Sequence, residues 1–179
     1  MKLHLGSGKR FIPGFTHVDL ADFPHINYRH DIRSLPMFDD GSAELIYACH
    51  VFEYFNAEEA KDVLAEWRRI LSTGGTLRLA VPDFWKLAQV YALTHDLTKI
   101  TGPLYGQWQI GPDKTAYHRA VYDGKTLTSL LIEAGFRMVQ SWDWRTVEHG
   151  YIDDYSQAYY PHMDKDHGIL ISLNLEATK

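Results

Sequence analysis

A glycine-rich turn and two carboxylates stand at matching places in the first part of the chain. Gly6-Ser7-Gly8 follows the apolar segment Lys2–Leu5, and Asp19 and Asp31 lie at the ends of the next two apolar segments. In open α/β sheets, ligands bind beyond the carboxyl ends of strands, where glycine lets backbone approach them and an acid accepts ribose hydroxyls. The pattern predicts a nucleoside site, although glycine also permits ordinary turns and Asp often hydrogen-bonds its own turn.

The spacing after the glycine turn discriminates between two kinds of nucleoside cofactor. A dinucleotide fingerprint needs a third glycine that opens a helix, whose N-terminus holds the pyrophosphate. Phe11 stands at that position, and only Lys9–Gly14 separate Gly8 from the next apolar segment. A crossover with its helix normally takes at least about 10–12 residues, so this helix is predicted to be short or absent. The spacing therefore favours S-adenosylmethionine (SAM), which carries no phosphate.

Three side chains are candidates for proton transfer in methyl transfer from a sulfonium, an in-line displacement in which the enzyme mainly positions the reactants. A hydroxyl nucleophile also needs a base, and histidine suits that task near neutral pH. His50 follows the fourth apolar segment, Asp83 follows the fifth, and His118 lies in an irregular segment. Each has an alternative: His50 packs beside the adenosyl group, His118 binds substrate or anchors its loop, and Asp83 caps the following helix.

Four tyrosines between residues 151 and 160 precede the last predicted strand, together with two acids. Such mixtures suit sugars or amines through stacking and hydrogen bonds, and an aromatic cover or a homodimer contact is an equal alternative. Two His and two Asp between His162 and His167 crowd one short loop without the spacing of metal ligands. No metal site is predicted there.

Short apolar runs that alternate with helical patterns predict the α/β elements that would position these residues. The predicted strands are Lys2–Leu5, Phe15–Leu20, Asn27–Ile32, Ala43–Cys49, Thr76–Val81, Phe136–Trp144 and Gly168–Ala177. The clearest helix begins after Asn56, where Glu59 completes a capping box, and is predicted to stop at Gly74-Gly75. Further helices are predicted over Phe84–His95 and Lys125–Ala134, with irregular structure from 97 to 122.

The composition excludes several classes of protein. The 179 residues are 45% hydrophobic with a formal net charge of −5, which predicts one folded domain over residues 1–179. No run approaches about 18 apolar residues, so no membrane span is predicted, and the acidic balance disfavours nucleic acid. The single cysteine, Cys49, is predicted to be a buried, unreactive side chain, and its isolation suits the cytoplasm.

Nine short motifs follow one another along nearly the whole chain: Leu3–Gly8, Pro13–Asp19, His30–Pro36, Asp40–Tyr47, Val51–Phe55, Leu71–Leu77, His118–Asp123, Ala134–Phe136 and Ser172–Ala177. In order and spacing they resemble a compact group of class I SAM-dependent methyltransferases, the type 11-like enzymes predicted to act on small molecules or saccharides. The resemblance implies a Rossmann-like, seven-stranded, mostly parallel sheet whose last strand is antiparallel.

The resemblance also implies where the cofactor binds. The implied cofactor-binding residues are Gly6, Ser7, Gly8, Asp19, Leu20, Asp31, Ile32, Cys49, His50 and Tyr54. The glycine turn would line the methionine part of SAM, the first acid would hold the ribose and the second would lie near the adenine. The segment Cys49–Tyr54 would pass beside the sulfonium. Two positions depart from the common pattern, because His4 replaces an acid that orients SAM and Glu53-Tyr54 replaces Glu-His.

The sequence thus predicts methyl transfer from SAM to an oxygen or nitrogen of a small molecule or saccharide. Two alternatives stay open at this point. A non-catalytic SAM- or nucleoside-binding module is one, because no catalytic residue is unambiguous. A nicotinamide-dependent reductase is the other, which the missing third glycine and the lack of a Tyr-x-x-x-Lys pair disfavour.

Overall fold

Short strands and helices alternate along the chain, as the apolar pattern predicts. The computed structural model describes residues 1–111 and 114–179. In chain order the elements are β1 (Lys2–Leu5), β2 (Phe15–Asp19), β3 (Tyr28–Arg29), β4 (Ala43–Cys49), α1 (Ala57–Ile70), β5 (Leu71–Pro82), α2 (Phe84–Thr94), α3 (Thr98–Tyr105), β6 (Trp108–Gly111), β7 (Lys114–Ala116), α4 (Gly124–Glu133), β8 (Arg137–Ser141), β9 (Tyr159–Tyr160), β10 (Ile169–Leu170) and β11 (Ser172–Thr178).

Seven of these strands form one sheet in the order β3-β2-β1-β4-β5-β11-β8. The pairs β3-β2, β2-β1, β1-β4 and β4-β5 are parallel, whereas β11 runs antiparallel to both β5 and β8. The predicted Rossmann-like sheet, mostly parallel with its last strand antiparallel, is confirmed. The carboxyl ends of four strands meet at one edge, here called the ligand edge, which is formed by Leu5, Asp19, Cys49 and Pro82.

Helix α1 covers one face of this sheet. Asn56 Oδ1 accepts hydrogen bonds from the backbone N–H groups of Glu58 and Glu59, and Glu59 Oε2 accepts one from Asn56 N–H. The predicted capping box is therefore confirmed. Helix and strands share one buried apolar cluster, whose members include Leu3, Leu5, Ile46, Ala60, Val63, Leu64, Trp67, Ile70, Leu77 and Leu79.

Several predicted element boundaries are wrong, among them that of the sixth predicted strand, Phe136–Trp144, which ends at Ser141. Helix α1 ends at Ile70 rather than at Gly74-Gly75, because Leu71 takes extended backbone and begins β5. The third predicted strand shrinks to β3, which lies at the edge of the sheet with a neighbour on one side. The predicted strand Gly168–Ala177 divides into β10, which pairs with β9, and β11.

The segment from 97 to 122 is more regular than its prolines and glycines suggested. It holds α3 and the hairpin of β6 and β7. Pro103 lies inside α3, where proline normally ends a helix. The packing of Ile100 against Leu87 and Val90 of α2 outweighs that local preference. No helix in the described ranges is long and apolar enough to cross a membrane.

The other face of the sheet lacks a crossover helix between β1 and β2, as predicted, since residues 9–14 form turns and loop. Ring side chains fill that space instead. His4 lies 5.4 Å from His17 and 5.2 Å from Tyr47, and Tyr47 lies 4.2 Å from His149, measured between ring centroids. Burial lowers the pKa of each of these three histidines, so the rings pack as neutral groups.

This ring cover predicts that acid destabilises the fold. Burial and the nearby Arg78 lower the pKa of His149 to about 4, so below about pH 6.5 the unfolded chain binds a proton that the folded chain excludes. Between pH 7.5 and pH 5 the free energy of unfolding should fall by about 2 kcal/mol on account of His149, as measured by urea denaturation.

The matched variant is His149→Phe, which keeps a buried ring and removes no hydrogen bond, because neither ring nitrogen has a partner among the described residues. Its stability should fall less over the same pH interval than that of the parent. An equal fall in both proteins would show that His149 does not cause the effect.

Candidate cofactor and acceptor site

The glycine turn after β1 requires glycine at both ends. Gly6 and Gly8 have φ angles of +65° and +51°, in the left-handed region that side chains disfavour. A Cβ atom on Gly6 would also overlap the side chain of Val51. The backbone N–H of Gly6 donates to Val18 C=O at 2.8 Å, which holds the turn against β2.

Asp19 braces the same turn. Its Oδ2 accepts a hydrogen bond from Gly8 N–H at 2.8 Å, its Oδ1 accepts one from Ala21 N–H at 2.7 Å, and the residue is buried. Each carboxylate oxygen has a second lone pair, so these bonds leave Asp19 able to accept further donors. Leu20, the next residue, is exposed beside it.

Asp31 is held by its neighbour Arg33. The Arg33 Nε lies 2.9 Å from Asp31 Oδ2 and its backbone N–H lies 3.0 Å from Oδ1. Burial raises the pKa of Asp31, but the hydrogen bonds and charge of Arg33 outweigh it and the net pKa is lowered. Ile32 turns into the core, where its carbonyl accepts a hydrogen bond from Trp67 Nε1 at 2.8 Å.

The chain leaves β4 through a strained residue. His50 has a φ of +49°, which is uncommon for a residue with a side chain, and such strain clusters at functional sites. Its N–H donates to Ala80 C=O of β5 at 2.8 Å. Just before it, burial raises the pKa of the Cys49 thiol, in keeping with an inert side chain. Just after it, the single turn Phe52–Tyr54 directs Glu53 inward.

A carboxyl and two imidazoles meet at that turn. His50 Nδ1 and His118 Nε2 each lie 3.6 Å from Glu53 Oε1, beyond hydrogen-bond range, and Glu53 is 1% exposed. Burial raises the pKa of Glu53 to about 8, whereas burial and His118 lower the pKa of His50 to about 3. Burial also lowers the pKa of His118. All three groups are therefore neutral near pH 7.

Hydrogen bonds on the far side of each ring assign the tautomers. His118 Nδ1 lies 3.0 Å from Pro103 C=O, which only accepts, so Nδ1 carries the proton. Ser172 Oγ donates to Asn174 Oδ1 and lies 3.1 Å from His50 Nε2, so that nitrogen donates to the hydroxyl. Both rings therefore present an unprotonated nitrogen to Glu53.

The structure brings His50 and His118 together at Glu53 and uses Asp83 as the cap of a helix. Asp83 Oδ1 accepts hydrogen bonds from the N–H groups of Trp85 and Lys86, so it caps α2, as its alternative reading predicted. Among the described residues no hydrogen bond or ion pair joins it to the two histidines. Burial raises the pKa of Asp83.

Sequence reasoning missed two residues of the site. Glu53 lies within Cys49–Tyr54, the segment expected beside the sulfonium, but is not singled out there, although it is an acid in the otherwise apolar and aromatic stretch Val51–Phe55. Trp108 lies in the segment predicted to be irregular and was not predicted to be near the site. Its ring lies 3.4 Å from the position that a Cβ atom of Gly8 would take. Tyr54 packs its ring perpendicular to that of His118, with centroids 4.7 Å apart. No group of three or more metal-ligating side chains is arranged around an ion site in the described ranges.

Comparisons with known proteins agree with this geometry. Residues 16–79 match the family described as "Methyltransferase domain". A SAM-dependent methyltransferase from Archaeoglobus fulgidus is 13% identical, with 99% of this chain and 85% of that chain covered and a TM-score of 0.59. One from Methanosarcina mazei is 17% identical, with coverage of 99% and 91% and a TM-score of 0.55. Comparison with curated proteins gave no significant match.

A third similar structure is the Burkholderia thailandensis 1,6-didemethyltoxoflavin-N1-methyltransferase with bound 1,6-didemethyltoxoflavin and S-adenosylhomocysteine. It is 13% identical, with 99% of this chain and 70% of that chain covered and a TM-score of 0.56. The sheet order is that of the class I methyltransferase fold, and residues 16–79 match the methyltransferase domain. These findings support the predicted enzyme class, a SAM-dependent methyltransferase, and SAM as its cofactor.

The close contact at Gly6 predicts that one added methyl group disrupts cofactor binding. In Gly6→Ala, the Cβ atom meets Val51 and the backbone keeps an unfavourable φ, so the turn must shift. We expect the affinity for S-adenosylhomocysteine, measured by calorimetry, to fall at least about tenfold, which corresponds to about 1.4 kcal/mol.

The matched control is Gly74→Ala, because Gly74 also has a positive φ but would place its Cβ in open space near the opposite edge of the sheet. It should lose stability through backbone strain and keep the parent affinity. Unchanged affinity in Gly6→Ala would separate the turn from the cofactor site.

Proposed function

We propose that the chain transfers the methyl group of SAM to an oxygen or nitrogen of a small-molecule or saccharide acceptor at the ligand edge. One observation carries this proposal: Gly6 of the cofactor turn lies against Val51, the residue after His50. The turn that would hold the methionine part of SAM and the cluster of Glu53 with two imidazoles are thereby adjacent. When bound, SAM supplies an electrophilic methyl group.

The described residues fit the cofactor at the positions that the sequence predicted. Ser7 Oγ is buried and has no hydrogen-bond partner among the described residues, so a polar group of the methionine part of SAM would satisfy it. Asp19 keeps lone pairs for the ribose hydroxyls, beside the exposed Leu20. Asp31 and Ile32 would border the adenine, the first by its carboxylate and the second by its backbone. Cys49, His50 and Tyr54 would line the side towards the sulfonium.

His118 is the better candidate for the general base. Its Nδ1–H donates to Pro103 C=O, which leaves Nε2 as an acceptor that faces Glu53. His50, with a pKa of about 3, holds a proton poorly near neutrality, so its proposed role is to position the acceptor. Asp83 stays a third candidate, with one carboxylate oxygen committed to capping α2.

Small size is the acceptor property that the structure supports best. The space beside Glu53 is narrow and mainly apolar. The Burkholderia protein described above binds 1,6-didemethyltoxoflavin, and an acceptor of similar size is proposed here. The saccharide acceptor, the homodimer contact and the cytoplasmic location stay predictions. A nicotinamide cofactor is disfavoured because residues 9–14 provide no helix N-terminus for a pyrophosphate.

The cofactor assignment predicts that Asp19→Asn weakens binding of S-adenosylhomocysteine at least about tenfold, because a carboxylate is the stronger partner for ribose hydroxyls. Asp22→Asn serves as the matched control, since the side chain of Asp22 is 84% exposed in the next turn. Calorimetry should give the control the parent affinity. Equal affinities in both variants would remove Asp19 from the cofactor site.

The catalytic assignment predicts turnover, measured as release of S-adenosylhomocysteine from SAM against a panel of sugars, amines and hydroxy compounds. With a hydroxyl acceptor, His118→Gln should lower kcat about 10²–10⁴-fold and leave the cofactor affinity unchanged. Binding of SAM without turnover on any acceptor would instead support a non-catalytic binding module.

A further inference from the structure

We propose that Glu53 docks a primary ammonium group of the acceptor, so that the acceptor is a small amine with an apolar body. This inference rests on the proposed methyl transfer and names the acceptor class for the same site. It concerns how the acceptor is held and leaves open which of its atoms receives the methyl group.

No side chain in the described ranges donates a hydrogen bond to the carboxyl of Glu53. Both of its oxygens are buried and without a hydrogen-bond partner among the described residues. A buried polar group left unpaired costs about 1–3 kcal/mol, so such groups are normally satisfied by protein, water or ligand. The imidazoles of His50 and His118 present unprotonated nitrogens to it, 3.6 Å from Oε1. None of the described hydroxyls, those of Tyr54 and Tyr122 included, is hydrogen-bonded to it. Once Glu53 is ionised, its carboxylate therefore needs a guest that brings its own donors.

The number of converging acceptors matches an ammonium group. Glu53 Oε1, His50 Nδ1 and His118 Nε2 lie together, with both nitrogens 3.6 Å from the oxygen. An ammonium group carries three N–H donors and no acceptor, as the lysine side chain does. All three groups are acceptors once Glu53 is ionised, and a hydroxyl group, which carries one donor, would then leave two of them unpaired.

The walls next to Glu53 suit an apolar body behind that ammonium. The pocket that Glu53 lines is otherwise bordered by apolar and aromatic side chains: Pro82, Leu87, Pro103, Leu104, Val121 and Tyr122. Its enclosed space is about 10 Å³, close to the room that one water molecule needs, and it reaches about 210 Å³ only when the open mouth is included. An acceptor that enters this pocket is therefore small, and it buries carbon rather than hydroxyl groups against the walls.

The charge of the site gives this inference a distinct signature. Near pH 7 Glu53 is protonated, because burial raises its pKa to about 8. A bound ammonium favours the carboxylate, so the acid would ionise and release a proton to the solvent. A neutral alcohol of the same shape does not favour the carboxylate, so its binding would release no proton.

The test measures binding of butylamine and phenethylamine, with 1-butanol and 2-phenylethanol as neutral isosteres. Titrations are run by calorimetry at pH 7 with and without S-adenosylhomocysteine, in buffers of different ionisation enthalpy. We expect each amine to bind at least tenfold tighter than its alcohol and to release close to one proton.

Two variants assign the effect to Glu53. Glu53→Gln keeps the shape of the side chain, and its amide can donate to an imidazole nitrogen, so the melting temperature should not fall. It should abolish both the preference for amines and the proton release. Glu58→Gln removes one acid from the exposed start of α1 and should change neither.

Equal binding of amines and alcohols by the parent protein would overturn the inference, and so would an amine preference that survives in Glu53→Gln. Either result is distinguishable from failure of the proposed function, because the affinity for S-adenosylhomocysteine is measured in the same titrations. A protein that binds the cofactor but shows no amine preference remains a methyltransferase with another acceptor class.

Discussion

Two segments of the chain cross at the ligand edge with no space for a side chain between them. Gly6, which follows β1, has a φ of +65°, and its Cα lies against Val51. The residue before Val51, His50, has a φ of +49°. Because both residues adopt left-handed backbone, both strands end in abrupt turns that come into contact. The cofactor turn and the inward-facing Glu53 are therefore placed by one contact, and a shift of either turn would move the other.

Glu53, His50 and His118 can be buried together because all three are neutral, and not because they form ion pairs. A buried carboxylate between two neutral imidazoles would lack both counter-charge and donors, and desolvation of an unpaired charge is costly. Glu53 avoids that cost by keeping its proton, and His50 and His118 avoid the corresponding cost by losing theirs. A ligand that brings a positive charge and hydrogen-bond donors would therefore stabilise these three groups most.

Local sequence signals predicted the elements better than the site. Asn56 and Glu59 predict the start of α1 because the capping box is formed within four residues. The strands of the central sheet are predicted by apolar runs that prove to be buried. Glu53 could not be recognised in the same way, since its role comes from His118, which is 65 positions away in the chain. Pro103 and the glycines near it misled the prediction for α3, where packing against α2 outweighs local preference.

The absence of a helix between β1 and β2 has a consequence for the candidate acceptor site. The face that such a helix would cover is closed by the segment that follows β8, which brings Trp142, His149 and Asp154 over Tyr47. From Tyr47 a chain of polar contacts then runs back to the ligand edge through Asp154, Ser156, Asn174, Ser172 and His50. This chain fixes which nitrogen of His50 carries the proton, and so which nitrogen faces Glu53. The shortened crossover therefore affects the candidate acceptor site. The segment that covers the sheet in place of the helix also orients the imidazole of His50 there.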